Sequence, residues 1–384
     1  MQFFYFFKTL FKNFLYAIKN IWFFLYKKVF NKTFLKIFFC IISVSFIVFS
    51  PNYLFNKQNY EINLNEYLNL LNKEKVVLNL WHIETFEGGS NSRAKFLEKQ
   101  SMKFNKENNN CFISVSNLTE EQLVLNLKAN KMPDMFSFGI GAGYLISSYL
   151  QNLENNSQIR KDLIDYAKIG DDLFSYPYIL SGYCLISYEN LINEGNVNNF
   201  ASKTVNKKEI KGITFSNDNF INTSKVLMSC GYKSLNKNDY LYASSTYEAY
   251  LNFIKKKSIS LLGTARDVAR CKNREKNGNL SSCNYQFLTG YSDLIQYIGV
   301  VKNVEKIKSD YAADFAKFLT LPSSQIDLKN YGLFSTTNVD VYENDYMNDF
   351  ENQLNKKLES INVFTNLNDV AKVNKNSFDI LFNN

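Results

Sequence analysis

The sequence predicts an α/β protein whose outer part follows a membrane segment. Three observations predict it. A strand–helix–strand rhythm begins near residue 76, the chain of 384 residues is long enough for two cores, and the positive charge is confined to the first tenth of the chain.

The rhythm comes first. Val76, Val77, Leu78, Asn79, Leu80 and Trp81 form an apolar run of strand length, and the Gly/Ser-rich loop EGGSNS follows. A helix is expected over Arg93–Asn105, with Phe96, Leu97 and Phe104 on one side. Cys111–Ser116 alternates as a strand, Glu120–Asn130 reads as a helix, and Met135–Phe138 is a short strand ending in GIGAG. Strands alternating with helices predict a largely parallel sheet. In such sheets ligands sit at loops beyond the carboxyl ends of the strands, here 82–92 and 139–143. Tyr178–Tyr188 is a second apolar strand, Ile259–Gly263 another, and Lys306–Leu319 a late helix. Residues 341–384 are again helical and polar.

The N-terminus has a different composition. Residues 1–36 carry seven lysines and no acid, which takes most of the net charge of +8 and leaves the remainder near neutrality. A basic segment beside a membrane, not a nucleic-acid surface, accounts for that distribution. Residues 3–30 place Lys8, Lys12 and Lys19 at helical spacings among Phe, Leu and Ile, the pattern of an amphipathic helix in a lipid interface; a second membrane span is the rival. The uncharged run 37–50, extended to residue 55, reads as a membrane anchor, with a cleavable signal peptide as its rival. The lysines before it place residues 56–384 outside the cell membrane, with 56–73 as a spacer. Cys40 lacks the small neighbours of a lipidation site.

The stretch LWHIETFEGGSNSRAKFLEKQSMKFNKEN resembles the opening strand, loop and helix of the family 1 extracellular solute-binding proteins, many of which bind sugars. The resemblance continues through NLTEEQL, PDMFSFGIG, SYPYILSGYCLISYENL, LLGTARDVARCKNRE, FLTGYSDLIQYIGVV, AADFAKFLT and YGLFSTTN. It implies a two-lobed clamp of the periplasmic-binding-protein kind, crossed three times by the chain. The first lobe is expected over 74–178 and 300–340, the second over 185–298 and 341–384. The implied function is to bind a carbohydrate or similar polar solute and deliver it to the permease of an ABC importer. The alternative is a membrane-tethered sensor that presents its closed clamp to a receptor.

Several residues suit a sugar cleft. Trp81 offers a flat face for stacking, with a core tryptophan as the competing reading. Glu84, Glu87 and Arg93 surround the glycines of EGGSNSR and are able to hold hydroxyls by charge-assisted bonds; Ser90 or Ser92 serves equally as a helix cap. Phe138 ends its strand beside GIGAG, and Tyr176 and Tyr178 flank Pro177 at the expected first crossing. In the second lobe Arg266, Asp267, Tyr291 and Asp293 fall in similar blocks, where local salt bridging competes with ligand contact.

Enzymatic readings fare poorly. His82 is the single histidine and reads as a structural hydrogen-bonder. No nucleophilic triad, metal-ligand cluster or cofactor motif can be assembled. Cys271 and Cys283 bracket a polar loop and are expected to bridge in an oxidising compartment, or to stay as thiols in a reducing one.

Overall fold

The computed structural model describes residues 75–84, 92–191, 200–205, 208–216, 223–229, 235–288, 290–343 and 345–382, with five helical positions between Asn13 and Asn20. The chain divides into two compact units, Met1–Lys73 and Glu74–Asn384. In the first, Asn13, Tyr16 and Ile18 to Asn20 are helical and exposed. The expected anchor 37–55, the spacer 56–73 and the loop residue Glu87 lie outside the described residues. Among the described residues no helix is long and apolar enough to cross a membrane.

The second unit is built on two sheets. In the first, strands β1 (Val76–Ile83), β2 (Cys111–Leu118) and β3 (Met135–Phe138) run parallel, as the strand–helix rhythm predicts. After a two-residue ladder, β4 (Lys168–Ile169) on β5 (Asp172–Leu173), comes β6 (Tyr176–Leu180). The second sheet takes β7 (Tyr183–Tyr188), β8 (Lys203–Val205), β9 (Lys208–Ser216), β10 (Tyr240–Ala243), β11 (Ser258–Thr264) and β12 (Cys283–Leu288). Its order is β10-β9-β11-β7-β12, with β8 on β9. The chain then returns: β13 (Ile295–Val300) pairs antiparallel with both β3 and β6, giving the first sheet the order β2-β1-β3-β13-β6.

Two details differ from the sequence reading. Tyr178–Tyr188 is not one strand: it breaks at Ser181–Gly182 and serves both sheets, and at the break Gly182 faces side chains that leave no room for a Cβ. Residues 295–298, expected in the second lobe, belong to the first sheet, where every β13 residue is buried.

Helices cover the sheets. Helix α1 (Arg93–Glu107) starts at Ser92, whose side chain accepts the Lys95 N–H, and α2 (Glu120–Lys128) starts in a Thr119/Gln122 capping box. On the second sheet lie α3 (Thr223–Ser229), α4 (Thr246–Ile254) and α5 (Ala265–Lys276). Helix α6 (Lys306–Phe318) shares the first-sheet face with α1, where Phe104 meets Phe315 and Phe318 at 5.3 and 5.4 Å between ring centroids. Helix α7 (Asn348–Leu354) follows, and α8 (Leu367–Phe382) packs on α3.

Between α7 and α8, residues 358–363 run beside both sheets. Glu359 bridges to Tyr291, and the Val363 N–H donates to the Tyr166 carbonyl at 2.9 Å. A Cβ on Gly143 would stand 2.3 Å from the Val363 carbonyl oxygen, so glycine is what admits this segment. Gly143→Ala is expected to lower stability by about 1–3 kcal/mol, the usual cost of overpacking against backbone, read as a fall in melting temperature. Unchanged melting would show that the segment is not held there.

Candidate functional site

At the carboxyl ends of the first sheet five polar side chains form one buried chain. Arg93, 1% exposed at the start of α1, donates from Nη1 to Oε1 of Gln296 at 2.8 Å. Gln296 donates from Nε2 to the Ser137 hydroxyl at 3.1 Å. That hydroxyl also bonds Nδ1 of His82 and the Tyr178 hydroxyl, each at 2.8 Å. Burial and the Arg93 charge hold the His82 imidazole down to a pKa of about 3, so it is neutral at pH 7. Burial raises the Tyr178 hydroxyl, with Ser137 and Arg93 pulling against it. Every member of the chain is fixed by at least one other, so the ends of β1, β3, β6 and β13 are positioned together.

The neighbouring first-sheet residues are less polar in their surroundings. Trp81 is half-buried and meets Phe136 edge-on at 5.9 Å. Glu84 is exposed just beyond β1, its N–H bonded to the Leu118 carbonyl. Phe138 is fully buried, stacked on Tyr297 at 6.2 Å and close to Phe364. Tyr176 is buried and donates to the Glu154 carbonyl at 2.6 Å.

On the second sheet a carboxylate organises the site. Asp293, 3% exposed, accepts from the Tyr183 hydroxyl at 2.5 Å and from the Tyr291 hydroxyl at 3.3 Å. Burial, then the Asp293 carboxylate, push the Tyr291 hydroxyl well above its usual range. Lys225 from α3 lies 4.4 Å from the centre of the Tyr291 ring. Asp267 caps α5: its Oδ2 accepts the Thr264 N–H at 3.0 Å, and Oδ1 pairs with Arg270 at 2.9 Å. Arg266 is 5% exposed, and its Cα and Cγ lie 3.7 Å from where a Cβ on Gly332 would stand.

The structure thus gathers Arg93 and Tyr178 in one network and Tyr291 and Asp293 in another. Sequence reasoning missed Ser137, Gln296, Tyr183 and Lys225. Ser137 and Gln296 had a signal, each a polar residue inside an otherwise apolar strand; Lys225 had none. Cys271 and Cys283, open in the sequence between a bridge and two thiols, are both buried free thiols raised by burial, and Cys283 Sγ donates to the Ser281 carbonyl at 3.3 Å. No cluster among the described residues could hold a metal ion.

No family model and no curated protein matches the sequence. Solved structures do match. The GacH receptor of Streptomyces glaucescens, described unliganded and with acarbose, is 12% identical at a TM-score of 0.55, over 79% of this chain and 98% of that one. The sugar-binding protein MalE of Xanthomonas citri is 12% identical at 0.55, over 79% and 92%. A chitin oligosaccharide binding protein is 10% identical at 0.57, over 80% and 94%. The fold is that of the two-lobed solute-binding proteins. In that fold the two sheets are the cores of the lobes; the Arg93 network joins strands of the first sheet, and Asp293, in the crossing from β12 to β13, is bonded to Tyr183 of the second.

The solute-binding fold keeps its one histidine neutral, and this has a pH signature. Above about 6.5 the imidazole is neutral folded and unfolded, and the stability is fully present. As pH falls from there toward 3, the unfolded chain gains a proton that the folded chain refuses, so stability drops by up to about 1.4 kcal/mol per pH unit. Denaturant midpoints between pH 7.5 and 5.5 should fall for the natural protein and stay level for His82→Asn. Equal slopes would mean that His82 protonates in place.

Proposed function

We propose that the chain is the extracytoplasmic substrate-binding component of an ABC importer, holding a carbohydrate between its lobes and passing it to a permease. The reading is carried by the fold: two sheets joined through crossings, over four fifths of a chain whose structural neighbours include a maltodextrin binding protein, a chitin oligosaccharide binding protein and a receptor described in complex with acarbose. A protein that closes on its ligand needs contacts from both sides, since a ligand that touches one lobe gives no preference for closure. Trp81, Glu84, Glu87 and Arg93 from the first lobe, Arg266 from the second, and Tyr291 and Asp293 from the crossing between β12 and β13 are the side chains assigned to that role. Asp267 acts through α5, whose start it caps beside Arg266.

The first lobe takes 75–180, 295–337 and α7; the second takes 183–288 and α8. Residues 37–55 anchor the chain, the lysines of 1–36 stay inside, and 56–384 work outside, where a tether keeps the binder near its permease. Binding and release suffice for this role, and no chemical step is assigned. Moving such a clamp from 1:99 to 99:1 closed takes about 5.5 kcal/mol of differential affinity.

Mass spectrometry of the small molecules released by denaturing the full chain, purified from its own cells, tests the ligand class. A hexose-containing solute in near-stoichiometric amount is expected. A released amino acid would overturn the carbohydrate reading, and one structural neighbour named as a receptor for γ-aminobutyrate makes that outcome concrete.

A further inference from the structure

The passage between the sheets is guarded by one aromatic ring. Gly182 joins β6 to β7, and a Cβ there would lie 2.7 and 2.8 Å from Cζ and Cε2 of Phe350 and 2.9 Å from Leu354 Cδ1. The Phe350 ring stacks on Phe287 at 4.4 Å and 12° between planes, and Phe287 belongs to β12 of the second sheet. It also meets Phe334 edge-on at 5.0 Å. Phe334 is tied to the first sheet, because its backbone exchanges hydrogen bonds with Leu180 at 2.8 and 3.0 Å.

The helix that carries Phe350 is fixed to the first lobe. The Arg160 guanidinium donates to the carbonyls of Leu354 and Lys356 and to Asn355 at the end of α7. Arg160 in turn takes its N–H to the Thr336 carbonyl, and the Thr336 hydroxyl reaches the Pro177 carbonyl in β6. Near the start of α7, Glu351, 1% exposed, accepts the N–H groups of Val341 and Tyr342 at 2.9 and 2.8 Å, and Tyr342 packs on Phe334. Phe350 and Phe334 therefore move with the first lobe, and Phe287 with the second. Any rotation about Ser181–Gly182 slides Phe287 along Phe350.

We propose that Phe350 is a positioning residue that sets the resting angle between the lobes by stacking on Phe287 beside the hinge glycine. The proposal rests on the clamp reading above and adds what limits its motion. A stacked pair such as this, with Phe350 buried and Phe287 half-buried, is worth a population ratio of several-fold to about tenfold, enough to narrow the range of angles in the unliganded protein. Ligand affinity then depends on a residue remote in sequence from the assigned ligand contacts, since closing must shift this stack.

Paired spin labels test it on the full chain without ligand. Labels at Lys106→Cys and Lys255→Cys, exposed ends of α1 and α4, report the distance between lobes, in a background with Cys40 and Cys230 replaced by Ser. Phe350→Leu and Phe287→Leu should each broaden the distance distribution and move its mean. Phe318→Leu, a core change within the first lobe, should lower melting and leave the distribution unchanged. If the Phe350 and Phe287 variants lose stability with the narrow distribution intact, Phe350 is a core residue and the proposal fails. No ligand enters the experiment, so a wrong ligand class would not produce that result.

Discussion

The hydrogen bonds that pin the crossing segments to one another are the constraint on which the rest depends. The Ser181 N–H donates to the Leu294 carbonyl at 2.9 Å, and the Ser292 hydroxyl returns to the Ser181 carbonyl at 2.7 Å. The Ser292 N–H donates to the Glu359 carbonyl at 2.9 Å, and the Glu359 N–H donates to the Gly290 carbonyl at 2.8 Å. Buried backbone groups must find partners, and here the crossings supply each other's. The junction is thereby held by hydrogen bonds from each crossing to the next.

The polar networks follow from that junction. Arg93 and Asp293 are charged groups held almost out of water, a placement that costs several kcal/mol unless hydrogen bonds offset it. Each meets neutral donors or acceptors on or between strands at the crossings: Gln296 beside Arg93, Tyr183 and Tyr291 around Asp293. Such networks define one geometry in a way that apolar packing alone does not.

Much of the fold was legible in the residues. The alternation in β1, the cap at Ser92 and the apolar face of α6 follow local rules that a single sequence displays. The break inside Tyr178–Tyr188 was not legible, because a strand that changes sheets keeps its apolar composition on both sides; the glycine alone marked it. The site was less legible. Asp267 looks the same in sequence whether it meets a ligand or caps a helix, and the structure gives it to Thr264 and Arg270. Phe138 and Tyr176 are aromatic residues at strand ends that the packing takes inside. Lys225 reaches Tyr291 across a long separation that no local pattern records.

The central claim is that two lobes turn about a pinned junction when a solute enters between them. Small-angle scattering on residues 74–384, which form a compact unit of their own, tests it most directly with and without the solute released from the natural protein. The account predicts a saturable fall in the radius of gyration that tracks binding measured by calorimetry. Saturable binding with an unchanged scattering curve would contradict it.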